Sequence, residues 1–117
     1  RTVLVSDALP ATGLPDGTFQ FGDQKILVKG GRATLEDGTI AGSTTDLYEE
    51  VKNLIRFGIP PRQAFKSATI NPAREIGVQN EIGTIEPGKT ADLVVLGKDL
   101  GIRMVIAEGI VYRSVSR

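Results

Sequence analysis

The stretch GTIEPGKTADLVVL, residues 83–96, supports two different interpretations. Its first eight residues match G-x-x-x-x-G-K-[ST], the phosphate-binding loop of nucleotide hydrolases. That loop needs a helix directly after it, because the N–H groups at the helix start bind the phosphates. Here the apolar residues 93–96 follow and predict a strand. Glu86, Pro87 and Gly88 therefore predict a β-turn rather than a nucleotide site, with Lys89 facing solvent.

The composition argues against several classes of partner. The chain has 117 residues, enough for one small domain, and its 14 basic and 14 acidic residues cancel. The sequence shows neither the basic face that binds nucleic acid nor an apolar run long enough to cross a membrane, so we expect neither partner. It contains no cysteine and no histidine, which excludes disulfides, thiolate metal sites and the commonest metal ligand. A reducing cytoplasm is the expected location.

The first part of the chain is dominated by β patterns. Continuous apolarity over residues 2–5 predicts a strand buried on both faces, as in parallel sheets. Glycine-containing turn signals divide residues 14–38 into three short runs, which predicts an antiparallel meander. The small residues of segment 39–46 predict a loop that leads into a helix.

Helical patterns occupy the middle of the chain. Asp46 and Glu49 have the spacing of a capping box, and apolar residues after them repeat at helical intervals. A second helix is predicted to start near Pro61, because proline fits a first helical turn. Its predicted inner face consists of Ala64, Phe65 and Ala68. Asn71 and Pro72 predict the start of a third, short helix ending at Gly77.

Residues 78–117 return to β patterns. Residues 82–85 and 93–96 predict strands on either side of the Glu86-Pro87-Gly88 turn. Glu108 and Gly109 predict the turn of a final hairpin. The order of elements therefore indicates an α/β fold.

The segment around the Glu86-Pro87-Gly88 turn also resembles the signature of a known protein family. IGTIEPGKTADLVVL resembles the C-terminal signature of the amidohydrolase superfamily, G-x-I-x-x-G-x-x-A-D-L-V-V-L. With VLVSDALPATGLPDG and the residues from DGTIAGST to NPAREIGV, the chain resembles the N-acetylglucosamine-6-phosphate deacetylase family over essentially its whole length. The resemblance implies the C-terminal segment of a metal-dependent TIM-barrel hydrolase. Residues 1–77 would hold the last barrel strand, an active-site meander and loop, and closing helices; residues 78–117 would hold strands of a small β-sandwich domain.

The resemblance also implies a function. The family deacetylates N-acetylglucosamine 6-phosphate to glucosamine 6-phosphate and acetate, in amino-sugar catabolism. Its divalent metal, zinc or a similar ion, is held by a glutamate and two histidines upstream of this segment. The chain opens in an apolar run without an initiator methionine, so we expect an N-terminal barrel portion as its partner. The resemblance implies a homodimer for the complete enzyme. Because the chain has no histidine, we expect it alone to bind no metal and to be inactive.

Asp7 is the candidate catalytic residue. In the family an aspartate ends the last barrel strand in the context T-D-A-x-x-x-x-G, which corresponds here to Ser6, Asp7, Ala8 and Gly13. The resemblance implies that Asp7 is the catalytic carboxylate and a possible additional metal ligand; Ser6 keeps the hydroxyl of the usual threonine. Residue chemistry by itself leaves two interpretations open. A carboxylate at the end of a barrel strand can move protons during hydrolysis, or it can accept hydrogen bonds from turn N–H groups.

The segment TIAGS provides the candidate substrate contacts. The resemblance implies that Ile40 and Ala41 line the sugar site, with main-chain contacts from Ala41 and Gly42. The alternative is a loop kept small so that it can pack against the next helix. NPAR, residues 71–74, could bind an anion, but a helix cap with a structural arginine is the favoured interpretation. A solvated helix face is predicted from Glu49, Glu50 and Lys52.

Two other classes of protein remain open at this point. Another enzyme of the amidohydrolase superfamily could share the C-terminal signature. A non-catalytic small α/β module would fit the short chain and the lack of histidine. A barrel carrying metal ligands directly upstream in the same reading frame would distinguish an enzyme from such a module.

Overall fold

A computed structural model describes residues 2–113, except for the side chain of Arg113. The chain forms two compact units, one of Leu4–Ile59 and one of residues 2–3 with 60–113. Each unit combines helix and sheet, in agreement with the predicted α/β class. The division expected after residue 77 concerns a complete barrel enzyme and stays a prediction. Within residues 2–113, no helix is both long and apolar enough to cross a membrane.

The first unit is built on a four-stranded antiparallel sheet. Its strands follow one another in chain order. They are β1 (Gly17–Phe21), β2 (Gln24–Lys29), β3 (Arg32–Thr34) and β4 (Ile40–Gly42). The first three confirm the predicted meander. The prediction of a loop at residues 39–46 was wrong for β4. The chain turns back after β3 and pairs with it, although Ala41 and Gly42 carry no strand pattern.

One face of this sheet forms the core of the unit. Ile26, Val28 and Ala33 are 2%, 3% and 1% exposed and form a cluster with Ala11. Leu27, between the two buried β2 residues, is 48% exposed on the opposite face. This alternation is the pattern of a sheet that is covered on one side.

The helix α1 (Leu47–Arg56) begins as the sequence predicts. The N-cap Asp46 accepts a hydrogen bond from the backbone N–H of Glu49 at 2.7 Å. The Glu49 carboxylate pairs with Lys52 and with Arg56. Hydrogen bonds from Lys52 and then Arg56 hold the pKa of Glu49 below its ordinary value.

Two short helices open the second unit. They are α2 (Pro61–Ala68), with its proline in the first turn as predicted, and α3 (Ile70–Glu75). The buried positions of α2 are Ala64 and Ser67, whereas Ala68 is only half-buried, so the predicted inner face is shifted. Burial of Ser67 is tolerated because its hydroxyl donates to the Ala64 carbonyl at 2.7 Å.

The start of α3 differs from the prediction. The N-cap is Thr69, without a side-chain hydrogen bond, so Asn71 does not cap the helix. Its amide instead donates to the carbonyl of Thr2 at 2.7 Å. Pro72 is accommodated because the N–H groups of a first helical turn have no partner within the helix.

The turn at Glu86 forms as predicted. The backbone N–H of Lys89 donates to the Glu86 carbonyl at 3.3 Å, and a strand rather than a helix follows. The prediction that Lys89 faces solvent was wrong, since its side chain is 12% exposed. Its ammonium donates to the Gln79 carbonyl at 2.6 Å and to Thr84 Oγ1 at 2.5 Å. A hydrogen bond from Thr84 and the charge of Lys89 lower the pKa of Glu86.

The chain ends in a three-stranded antiparallel sheet. The strands β5 (Leu93–Leu96), β6 (Ile102–Ala107) and β7 (Ile110–Arg113) pair in that order. The two residues of the predicted last turn, Glu108 and Gly109, both have positive φ, as two-residue hairpin turns require.

The predicted strand at residues 82–85 does not form. A Cβ atom added to Gly83 would lie 3.0 Å from the Cβ of Ala73, so this segment lies against α3 instead of pairing in the sheet.

Residues 2–7 also differ from their prediction. They have no regular secondary structure, and Val3 and Val5 are 36% and 71% exposed. The prediction of a strand buried on both faces was therefore wrong for this structure. A parallel strand needs hydrogen-bonded neighbours, and no strand within residues 2–113 pairs with residues 2–5.

Candidate functional site

The candidate site lies where residues 7–9 run beside the end of β4. The backbone N–H of Ser43 donates to the carbonyl of Asp7 at 2.9 Å, and the N–H of Leu9 donates to the Ser43 carbonyl at 3.0 Å. These two bonds form a parallel bridge between Ala8 and Ser43. Thr12 Oγ1 donates a further hydrogen bond to the Ser43 carbonyl at 3.1 Å. Ser43 is therefore the residue that fastens the Asp7 segment to the sheet.

A β-bulge shapes β4 at this point. Ala33 pairs with Gly42 while Thr34 pairs with Ile40, which leaves Ala41 as an extra residue opposite β3. A bulge bends its strand, redirects side chains and leaves the extra residue outside the regular pairing. The irregularity thus falls within the three residues predicted to line a substrate.

Gly42 permits a close approach between the two segments. A Cβ atom at this position would lie 2.9 Å from Leu9 Cγ and 3.0 Å from the Asp7 carbonyl oxygen. The φ of Gly42 is 146°, a conformation that residues with side chains rarely adopt. Only glycine fits here without displacement of the Asp7 segment.

Asp7 has an unusual backbone conformation. Its φ is 48°, in the left-handed region that few residues other than glycine enter, although aspartate enters it more readily than most. The residue is exposed. Strained backbone of this kind is enriched at functional sites, where surrounding contacts hold it in place.

The predicted site residues occupy different positions around this bridge. The backbone of Gly42 lies directly against Asp7, so these two residues are brought together. Ala41 is half-buried at the bulge, whereas Ile40 is 65% exposed. Residues 71–74 belong to the other compact unit.

The sequence analysis missed a chain of polar side chains that leads from the site to α1. The hydroxyls of Ser43 and Thr45 are 2.8 Å apart, and the backbone N–H of Thr45 donates to Ser43 Oγ at 3.1 Å. The Thr45 hydroxyl donates to the Glu50 carboxylate. The prediction of a solvated face was therefore wrong for Glu50. The available signal was the run of three hydroxyl residues, 43–45, directly before the helix cap.

Residues 2–113 do not assemble a metal centre of their own. The chain has no histidine or cysteine, and residues 2–113 contain no group of three or more acidic side chains that could hold an ion. Asp7 is the one residue for which a ligand role was predicted, and one carboxylate cannot complete the coordination of a divalent metal.

Comparison with known proteins identifies the family. Residues 27–111 match the model of the amidohydrolase family. The chain belongs to this family. The resemblance seen in GTIEPGKTADLVVL is thereby confirmed.

Two curated amidohydrolases illustrate the relationship. The N-acetylglucosamine-6-phosphate deacetylase of Vibrio furnissii is 36% identical over 110 residues, which cover 93% of this chain and 28% of that protein. A putative N-acetylgalactosamine-6-phosphate deacetylase of Escherichia coli K12 is 34% identical over 110 residues, covering 93% of this chain and 66% of that protein. The chain thus spans less than a third of the first relative and about two thirds of the second.

A solved structure gives the same result for the fold. The crystal structure of N-acetylglucosamine-6-phosphate deacetylase from Thermotoga maritima superposes with a TM-score of 0.90 at 43% identity. The match covers 97% of this chain and 31% of that protein. This amidohydrolase chain is therefore similar to one part of a larger enzyme.

Proposed function

We propose that this chain is the part of a metal-dependent amidohydrolase that carries the catalytic aspartate, Asp7. The complete enzyme would convert N-acetylglucosamine 6-phosphate to glucosamine 6-phosphate and acetate. The names of the relatives support this substrate class. The observation that carries the proposal is the exposed, left-handed Asp7, held against β4 by the backbone of Ser43.

Asp7 has the chemistry that the reaction needs. Hydrolysis of the acetamido group forms a C–O bond to the acetyl carbon and breaks its C–N bond. The attacking water must lose a proton, and the departing nitrogen must gain one. A carboxylate can accept the first proton and deliver it to the nitrogen, so one residue can act as base and then as acid. The divalent ion, zinc or a similar metal, would be held by residues outside this chain, with Asp7 as a possible additional ligand.

The bulge in β4 supports a role in substrate binding. The extra residue of a bulge is left out of the ladder, so the backbone of Ala41 is available for contacts with a ligand. We propose that Ala41 and Gly42 contact the sugar through their main chains and that the exposed Ile40 covers it. A homodimer and a cytoplasmic location stay predictions.

The test compares two substrates in the complete protein that carries this sequence. Acetate release is measured with N-acetylglucosamine 6-phosphate and with its galactosamine epimer. The variant Asp7→Asn keeps the main-chain bond to Ser43 but loses the acid–base group, so kcat should fall about 10²- to 10⁴-fold. The matched control is Asp23→Asn, an exposed aspartate in the β1–β2 turn, which should leave kcat unchanged.

Each outcome has a defined meaning. Higher kcat/KM with the galactosamine epimer would assign the enzyme to the class of the Escherichia coli relative. Failure to release acetate from either substrate would contradict the proposed function, and full activity of Asp7→Asn would contradict the role of Asp7. The 117-residue chain by itself should release no acetate, and release would show that it contains a complete site.

A further inference from the structure

We infer that Glu50 is a positioning residue, which holds Asp7 in place through the hydroxyl groups of Thr45 and Ser43. The inference rests on the proposed function, because Asp7 is the reacting group. It concerns a residue on α1 that lies outside both predicted site segments.

The carboxylate of Glu50 sets the direction of the hydrogen bonds in this chain. An ionised carboxylate can only accept, so the hydroxyl proton of Thr45 must point to Glu50. Thr45 Oγ1 is then an acceptor toward Ser43, whose hydroxyl donates to it across 2.8 Å. Ser43 Oγ in turn accepts from the backbone N–H of Thr45 at 3.1 Å. One charged group therefore orders both hydroxyls.

Ser43 also binds the Asp7 segment directly, through its main chain. Both main-chain groups of Ser43 are used on that segment, through the carbonyl of Asp7 at 2.9 Å and the N–H of Leu9 at 3.0 Å. The side chain of Ser43 is hydrogen-bonded to Thr45, so both its main chain and its side chain are held by neighbouring residues. A displacement of Glu50 is thus transmitted to the backbone of Asp7 in three hydrogen-bonded steps.

The surroundings of Glu50 favour this role over a solvated charge. Ser43, Thr45 and Glu50 are all half-buried. The second carboxylate oxygen of Glu50 accepts from Asn53 Nδ2 at 3.5 Å, so both oxygens have partners on the protein. The neighbouring Glu49 differs, because its carboxylate pairs with Lys52 and Arg56 along the helix.

This difference provides a matched pair of variants in the complete protein. Glu50→Ala should lower kcat about tenfold or more while KM stays within about twofold, because a displaced acid–base group impairs the chemical step rather than binding. Glu50→Gln keeps an acceptor oxygen for Thr45 and should retain most of the activity. Glu49→Ala removes the ion pairs of α1 without touching Thr45 and should match the wild type in kcat.

Two further measurements separate positioning from general stability. Thr45→Val removes the hydroxyl between Glu50 and Ser43. The double variant with Glu50→Ala should have the same kcat as the slower of the two single variants, because both residues act through one chain of hydrogen bonds. Amide hydrogen exchange should accelerate in peptides that contain residues 7–9 and Ser43 in Glu50→Ala, but not in Glu49→Ala.

Equal kcat for Glu50→Ala and Glu49→Ala would overturn the inference, as would a loss in Glu50→Gln as large as that in Glu50→Ala. An inactive wild type would contradict the proposed function, yet the exchange experiment would still test whether Glu50 holds the Asp7 segment. Unchanged exchange in Glu50→Ala would then overturn the positioning role by itself.

Discussion

The meander sheet and the C-terminal sheet are both antiparallel, but they bury their side chains differently. In β2 buried and exposed residues alternate, so one face is covered and the other is open. In β5 every residue is apolar, and the successive residues Val94 and Val95 are 54% and 46% exposed. Successive strand residues point to opposite faces, so both faces of β5 carry exposed apolar surface.

This difference in burial is not visible in the sequence, because residues 26–28 of β2 form a continuous apolar run like residues 93–96 of β5. The buried residues of β2, Ile26 and Val28, are covered within their unit by the cluster that includes Ala11. The continuous pattern of β5 is typical of strands covered on both faces. Two strands with continuous apolar runs can therefore contribute differently to the free energy of unfolding. Three pairs of variants test this statement, with expected effects that decrease from the first pair to the third.

The largest effect should come from the core of the meander. Ile26→Ala should lower the free energy of unfolding by about 2–5 kcal/mol, because it opens a cavity at a residue that is 2% exposed. Ile110→Ala deletes the same atoms from a β7 residue that is 59% exposed, and its cost should be below about 1 kcal/mol. Urea unfolding of the 117-residue chain measures both. Equal losses of unfolding free energy in the two variants would contradict the difference between the two sheets, because Ile110 would then have to be covered.

A smaller effect should come from the covered edge of the meander. Gly42→Ala places a Cβ atom 2.9 Å from Leu9 Cγ and should destabilise the chain by about 1–3 kcal/mol. Gly38→Ala is the control, because Gly38 also has positive φ but no atom lies within 4 Å of an added Cβ. Thermal unfolding of both variants separates crowding from backbone strain. A loss no greater for Gly42 than for Gly38 would contradict the close approach of residues 7–9.

The smallest effect should come from the ammonium of Lys89, whose side chain is 12% exposed. Lys89→Met removes the hydrogen bonds to the Gln79 carbonyl and to Thr84, at a cost of about 1–2 kcal/mol. Lys98→Met at an exposed position should have almost no effect. The comparison is made by urea unfolding. If the two lysine variants unfold at the same urea concentration, the hydrogen bonds of Lys89 contribute nothing to stability.

Elements with a local chemical signal could be predicted from the sequence. Asp46 caps α1 through the N–H three residues later, and this geometry depends on neighbouring residues only. The same holds for the proline turn at Pro87 and for the final hairpin turn, where Gly88 and Gly109 supply the positive φ angles.

Elements created by distant contacts could not be predicted in this way. β4 is only three residues long and contains two small residues, and it forms by pairing with β3. The Lys89 side chain is largely covered, and its ammonium donates a hydrogen bond to a carbonyl ten positions away. For the candidate site, Asp7 and Gly42 were predicted through family resemblance, whereas the main-chain contacts of Ser43 with Asp7 and Leu9 depend on hydrogen bonds that no local pattern encodes.

The hydrogen bonds between Ser43 and residues 7–12 have a consequence for the order of folding. Thr12 and Ser43 are 31 positions apart, but the meander between them consists of strand pairs joined by short turns. Each pair closes a short loop, so the entropy of bringing the two ends together is lost in small steps. We expect the meander to form first and residues 7–9 to dock on it afterwards. In pulse-labelling exchange, the Ser43 amide would then gain protection later than the amides of β2.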